Sequence, residues 1–236
     1  MSLDGLDVAA SLALSARAIN SPQTLEETLD AIVGATLVSV PGFDHVGISI
    51  MHRDGSIETK AATDQVVWEL DTLQYTVDEG PCVSAMRSDV VVAVPNIRHE
   101  QRWPRYVPEA VMRTGLQAQL AVQLYVNDRT LGGLNLYSTR SPAIDPSAVQ
   151  AAELFATHAA LALARARRES DLNEAIRTRQ EIGMAIGLTM ARFNLDSERA
   201  FQYLVRASST GQVKIRVIAQ EIIRAANEEH GETSRD

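Results

Sequence analysis

The chain has 236 residues, a length that suits two domains. Apolar residues make up 45% and charged residues 22%, near globular averages, which excludes a disordered chain. No run approaches the roughly 18 apolar residues of a membrane helix, and the net charge of −8 argues against nucleic-acid binding over the whole surface. Asp4 and Asp7 stand where a signal peptide would carry basic residues, and the single cysteine, Cys82, excludes an intrachain disulfide and a multi-cysteine metal site. The expected location is the cytoplasm, with no membrane partner.

In PQTLEETLDAIVGATLVSV, Leu25, Leu29, Ile32, Val33 and Thr36 recur at helical spacing. Pro22 suits the first turn, acidic Glu26 and Glu27 suit the helix dipole, and Pro41–Gly42 ends the helix. HVGISIMHRDGSIETKAAT predicts a hairpin, with Val46, Ile48 and Ile50 alternating before Asp54–Gly55. A mixed helical stretch, DQVVWELDTLQYTVDEG, follows, then a short helix starting at Pro81, a buried strand over 90–95 and a polar loop, NIRHEQRWPRY. PEAVMRTG predicts a helix ended by Gly115, and residues 116–139 a second hairpin across Asn127–Asp128–Arg129.

Ala- and Leu-rich composition predicts one long helix over about 146–192. Ala159, Leu163 and Ala166 share a face and mark a candidate inter-subunit helix including residues 146–175; the alternative is a helix packed on its own sheet. Towards its end, closing near Phe193, Ile182, Ala185, Ile186 and Met190 form one apolar face. A second helix, capped by Asp196, carries Ala200, Phe201, Leu204 and Ser208, and a third, after Gly211, carries Ile215, Ile218 and Ile222. Charge is unevenly spread: residues 1–167 carry a net −7, whereas residues 177–216 hold seven basic and three acidic residues. A locally basic segment within an acidic chain points to a polyanion partner.

Residues Thr178–Ile223 resemble the ANTAR domain, a bacterial RNA-binding three-helix module of transcription antiterminators. Arg179, Ile182, Ala185, Gly187, Met190, Ala200, Phe201, Leu204, Ser208, Lys214 and Ala219 carry the match. Ile186 and Val205 depart from it, standing where the family commonly has Lys and Arg. Residues 20–168 resemble a GAF domain, through the αββ…ββα order and DEGPC at 78–82, RWP at 102–104 and LGGLNLYS at 131–138. The resemblance implies an α+β GAF-like sensor over 1–168, a mostly antiparallel sheet flanked by helices. The long helix joins it to an all-α, three-helix ANTAR-like domain over 169–236.

The resemblance further implies a signal-responsive regulator that binds hairpins in nascent RNA so that a terminator does not form. The RNA-facing set is then Arg179, Ala185, Gly187, Arg192, Arg206, Ser208, Lys214 and Arg216. Backbone phosphates attract Arg and Lys, and loop bases add stacking and hydrogen bonding. Read without the resemblance, the arginines are a solvated face, and Ala185 and Gly187 are helix-packing residues. Two hairpins bound by two ANTAR units would explain a homodimer. The alternative is a GAF-type sensor whose helical C-terminal domain binds a protein.

Cys82 and Trp103 are the candidate ligand-pocket or redox residues. Cys82 sits in a helix first turn, which favours thiolate, beside Glu79, which opposes it; the other reading is a small buried residue. Trp68, Tyr75 and Tyr106 are further pocket-or-core aromatics. The GAF fold does not fix a ligand, and an unidentified small molecule is the expected signal. His45, His52, His99, His158 and His230 lack metal spacing, so no metal is expected. The chain has no phosphate loop, nucleophile elbow or paired-carboxylate motif. The methionine sulfoxide reduction of some GAF-like enzymes needs several cysteines, so no enzymatic activity is expected.

Overall fold

The structure, a computed structural model, describes residues 24–233 and the side chains of residues 24–228. The expected role of Pro22, the segment around Asp4 and Asp7, and the His230 side chain lie outside the described residues. The chain divides into two compact units, Met1–Ala166 and Arg167–Asp236.

In the first unit, α1 (Leu25–Ser39) starts at a reciprocal capping box between Thr24 and Glu27, which satisfies two otherwise orphan amides. It buries Leu29, Ile32, Val33 and Thr36, as the spacing predicts. There follow β1 (His45–Met51), β2 (Ile57–Ala62), α2 (Gln65–Val77), α3 (Pro81–Arg87), β3 (Val91–Val94), α4 (Tyr106–Thr114), β4 (Ala118–Val126) and β5 (Arg129–Ser138). The strands form one antiparallel sheet in the order β2-β1-β5-β4-β3. The β4–β5 turn is tighter than expected: Asn127 and Asp128 take left-handed φ of 48° and 60°, which suits hairpin twist, and Arg129 already pairs with Val126.

Residues 46–50 of β1 are all buried because both sheet faces are covered. One face packs α1 and the start of α5 (Pro146–Phe193), with Leu29, Ile48, Leu134, Leu136, Phe155 and Ala159 in its core. The other packs α2, α3 and α4 around Leu70, Met86, Tyr106, Leu116 and Tyr137. The expected polar loop after β3 contains a 3-10 turn, Ile97–His99, and buries Ile97 and Trp103, so it is part of the second core.

The central strand β5 passes so close to β1 that a Cβ at Gly132 would collide with the Ser49 carbonyl oxygen. Only glycine fits this register.

α5 is one continuous helix of 48 residues. The face expected between subunits is corrected: Ala159 and Leu163 are buried in the core of their own unit, against the sheet. The large apolar side chains that α5 leaves exposed include Leu154, Leu161, Leu172 and Ile176.

The second unit comprises the end of α5, α6 (Ser197–Gly211) and α7 (Ile215–Thr233). Asp196 caps α6 by accepting from the Arg199 amide at 2.8 Å. Ala185, Leu204 and Ala219 are fully buried at the centre, ringed by Ile182, Ile186, Ile215, Ile218, Ile222 and Ile223. Phe201, expected on the apolar face, is instead exposed, because it lies about 100° around α6 from Ala200.

Candidate nucleic-acid interface and sensor core

Arg179 on α5, Arg206 on α6 and Lys214 just before α7 are all exposed, one from each segment of the three-helix unit. Arg192, also exposed, lies near the end of α5. Arg216 is tied down: its Nη1 donates to Glu174 Oε1 at 2.6 Å. The Ser208 hydroxyl donates to the Val213 carbonyl at 2.6 Å and its own carbonyl accepts the Val213 amide at 3.1 Å, so Ser208 closes the α6–α7 turn. Ala185 is fully buried and lets the helices approach. Gly187 is exposed, with open space where a Cβ would stand, so helix packing does not require it.

Sequence reading missed an aromatic pair beside Arg192. Phe193 and Tyr203 are each about half exposed, with ring centroids 5.4 Å apart and planes tilted by 35°. They wall a groove of about 830 Å³ together with Leu188, Arg192, Ile218 and Ile222. The signal was present: Phe193 follows Arg192, and Tyr203 lies between Arg199 and Arg206 at helical spacing.

In the first unit, the structure brings the DEGPC and RWP motifs together. Glu79 accepts from both the Arg105 amide (2.8 Å) and Arg105 Nε (2.7 Å), which holds its carboxyl below the usual range. Trp103 Nε1 donates to Ser84 Oγ at 3.1 Å, while Arg102 stacks over its ring at 4.4 Å. Trp103 is thereby buried as a strut rather than lining an open pocket. Gly80, at φ 131°, begins α3 where a Cβ would collide with Gln74. The space lets Gln74 Oε1 accept the Cys82 amide at 2.9 Å. Cys82 is fully buried, and burial followed by the nearby Asp71 carboxylate pushes its thiol up. The opposing carboxylate is therefore Asp71, not Glu79, and the small-buried-residue reading describes Cys82.

The sequence reading also missed a buried polar cluster on this side of the sheet. Asp71, Gln74, Gln119 and Asn135 are all 0% exposed. Asp71 Oδ1 accepts from the Tyr137 hydroxyl and from Asn135 Nδ2 (3.0 Å), and its Oδ2 from Thr59 (2.7 Å) and Ser49 (3.4 Å). Burial pushes the Asp71 carboxyl up to about 6, partly offset by these donors. Gln74 Nε2 donates to the Tyr137 hydroxyl at 3.0 Å, and Tyr106 donates to Gln119 at 2.8 Å. Asp71 and Gln74 share the buried side of α2 with Val67 and Leu70, a polar pair at apolar spacing.

His45 is held by Asp64 (2.7 Å) and Asp44 (3.3 Å), and His52 by Glu58 (3.1 Å). Among the described residues, no cluster of three or more His, Cys, Asp or Glu could hold a metal, and no helix is long and apolar enough to cross a membrane.

A GAF-domain model matches residues 22–164 and an ANTAR-domain model matches residues 170–223. The chain belongs to the GAF-domain family and carries an ANTAR domain after the GAF domain. No curated protein matches it. Among solved structures, the GAF domain of an Acinetobacter phosphoenolpyruvate-protein phosphotransferase is 16% identical, with a TM-score of 0.58 over 72% of this chain and 99% of that one. The corresponding Coxiella burnetii GAF domain is 15% identical, with a TM-score of 0.59 and the same coverage. A phycocyanobilin-bound GAF domain from a cyanobacterial phytochrome is 16% identical, with a TM-score of 0.54 over 69% of this chain and 96% of that one. At such identities the likeness is one of fold.

Proposed function

We propose that the chain is a signal-responsive regulator that binds hairpins in nascent RNA and so prevents transcription termination. GAF domains are sensors and ANTAR domains bind RNA in antitermination, and the order of the two matches the reading. The observation that carries it is the ANTAR match at 170–223 coinciding with exposed Arg179, Arg206 and Lys214 on its three segments. Lys214 sits at the N-terminal end of α7, where the helix dipole disfavours a cation. Helix stability does not explain it, whereas a phosphate partner does. Phe193 and Tyr203 offer faces on which unpaired loop bases can stack. Arg179, Arg192, Arg206 and Lys214 contact RNA in this reading, while Ser208, Ala185 and Arg216 shape the unit that presents them. The chain supplies binding energy and no covalent chemistry, and works as a cytoplasmic homodimer that presents two RNA-binding units.

A second reading, a protein partner for the helical unit, draws on the apolar lining of the Phe193–Tyr203 groove and on Ile186 and Val205 replacing cations. Selection of bound RNAs from a transcribed genomic library separates the two. The RNA reading predicts enrichment of hairpins lying upstream of terminators; enrichment of no common hairpin contradicts it.

A further inference from the structure

The groove walled by Phe193 and Tyr203 is lined by one acidic side chain, Glu221 on α7. Other acids of the same unit are engaged. Glu174 accepts from Arg216, Glu181 from Gln220 and Glu198 from Gln202, and Asp196 caps α6. Among the described residues, none donates to Glu221. A carboxylate covered by an occupant of this groove loses water and needs donors in return. The occupant therefore has to bring them. A carboxylate presents two neighbouring oxygens that only accept, so its planar complement is a pair of neighbouring N–H groups.

The rest of the groove describes the body that carries those donors. Phe193 and Tyr203 are in ring contact at 5.4 Å, so nothing flat enters between them; a flat group lies across their exposed faces instead. Arg192 lines the same groove, and Arg199 and Arg206 lie one turn to either side of Tyr203 on α6, so cations border the aromatic wall. The volume, about 830 Å³, lies in the range of small-ligand sites. A flat, donor-bearing group attached to anions is a nucleobase on its phosphate backbone; an aliphatic side chain of a protein partner supplies neither the donors nor the anions. Of the four RNA bases, guanine alone has two neighbouring donors on its pairing edge, N1–H and the N2 amine. Adenine and cytosine set one donor beside an acceptor, and uracil sets one donor between two acceptors.

We propose that this groove binds an unpaired guanine of an RNA loop, with the base against Tyr203 and Phe193 and Glu221 accepting from its N1–H and N2 amine. Glu221 is then the residue that determines specificity, and Arg192, Arg199 and Arg206 attract the backbone on either side. The acid repels phosphate wherever no guanine is present, which turns a liability of an RNA surface into selectivity. The proposal rests on the RNA reading above and adds which base is read and by what.

The test uses the full-length chain and a library of hairpins with one fixed stem and a randomised loop. Wild type should retain hairpins that share a guanine at one loop position. Glu221→Gln, an exposed substitution of equal size, should still retain hairpins but without that guanine, because its amide offers one acceptor and one donor. In a retained hairpin, replacing the guanine by inosine, which lacks the N2 amine, should weaken wild-type binding about tenfold and leave Glu221→Gln binding unweakened. Retained hairpins with no shared guanine overturn the proposal and leave the RNA reading standing. The same guanine selected by both proteins, or no effect of inosine on the wild type, does likewise and assigns the groove to another occupant, such as a protein. Retention of no hairpin by either protein at low salt overturns both.

Discussion

Burial, not local sequence, decides what Asp71 does. Its folded pKa is raised above the ordinary carboxylate value, so the neutral form is the one the fold favours. Stability from this group is fully present below about pH 4 and is lost as pH rises towards about 6. The shift corresponds to a loss on the order of 3 kcal/mol. Asp71→Asn should flatten this part of the pH dependence and raise the denaturation midpoint at pH above 7; chemical denaturation of both proteins across the range checks it. Cys82→Ser should cost about 1 kcal/mol, as for a modest core change, and leave RNA affinity unchanged. Gly132→Ala should cost roughly 1–3 kcal/mol by the same measurement, because β1 must move away from the new methyl group.

The secondary-structure elements were legible in the sequence where periodicity and punctuation agreed. The α1 spacing, Pro81 opening α3, Gly115 ending α4 and Asp196 capping α6 all lie where the residues place them. What the sequence hid was tertiary. Nothing local says that Asp71, Gln74 and Asn135 join one cluster on the same side of the sheet, since their partners lie up to 86 positions away. Nothing local says which side of α5 its own sheet covers: Ala159 and Leu163 fit an intermolecular seam as well as an intramolecular one. Of the expected RNA set, Arg179 and Lys214 lie exposed, but only coordinates reveal that Ser208 is committed to a turn and Arg216 to Glu174. If α5 pairs two chains, Leu172 and Ile176 contribute to the contact, so Leu172→Glu with Ile176→Glu should convert a dimer to a monomer in light scattering. A wild-type monomer at micromolar concentration contradicts that pairing.

For the whole molecule, the net charge is −8 and the positive excess is confined to residues 177–216, so attraction of RNA in the proposed function is local and electrostatic. Ile186 packs against the three-helix core, so a Lys there keeps its stem on the same surface and extends its charge outward. Ile186→Lys should tighten RNA binding at the expense of some stability. Titration of hairpin RNA with the wild type, Arg179→Ala and Lys214→Ala across a salt series tests the proposed RNA binding. Binding should weaken with salt, with each variant weaker on all hairpins and its salt slope flatter by roughly 0.7 to 0.9. Absence of binding by the wild type at low salt, or identical isotherms for all three proteins, would contradict it.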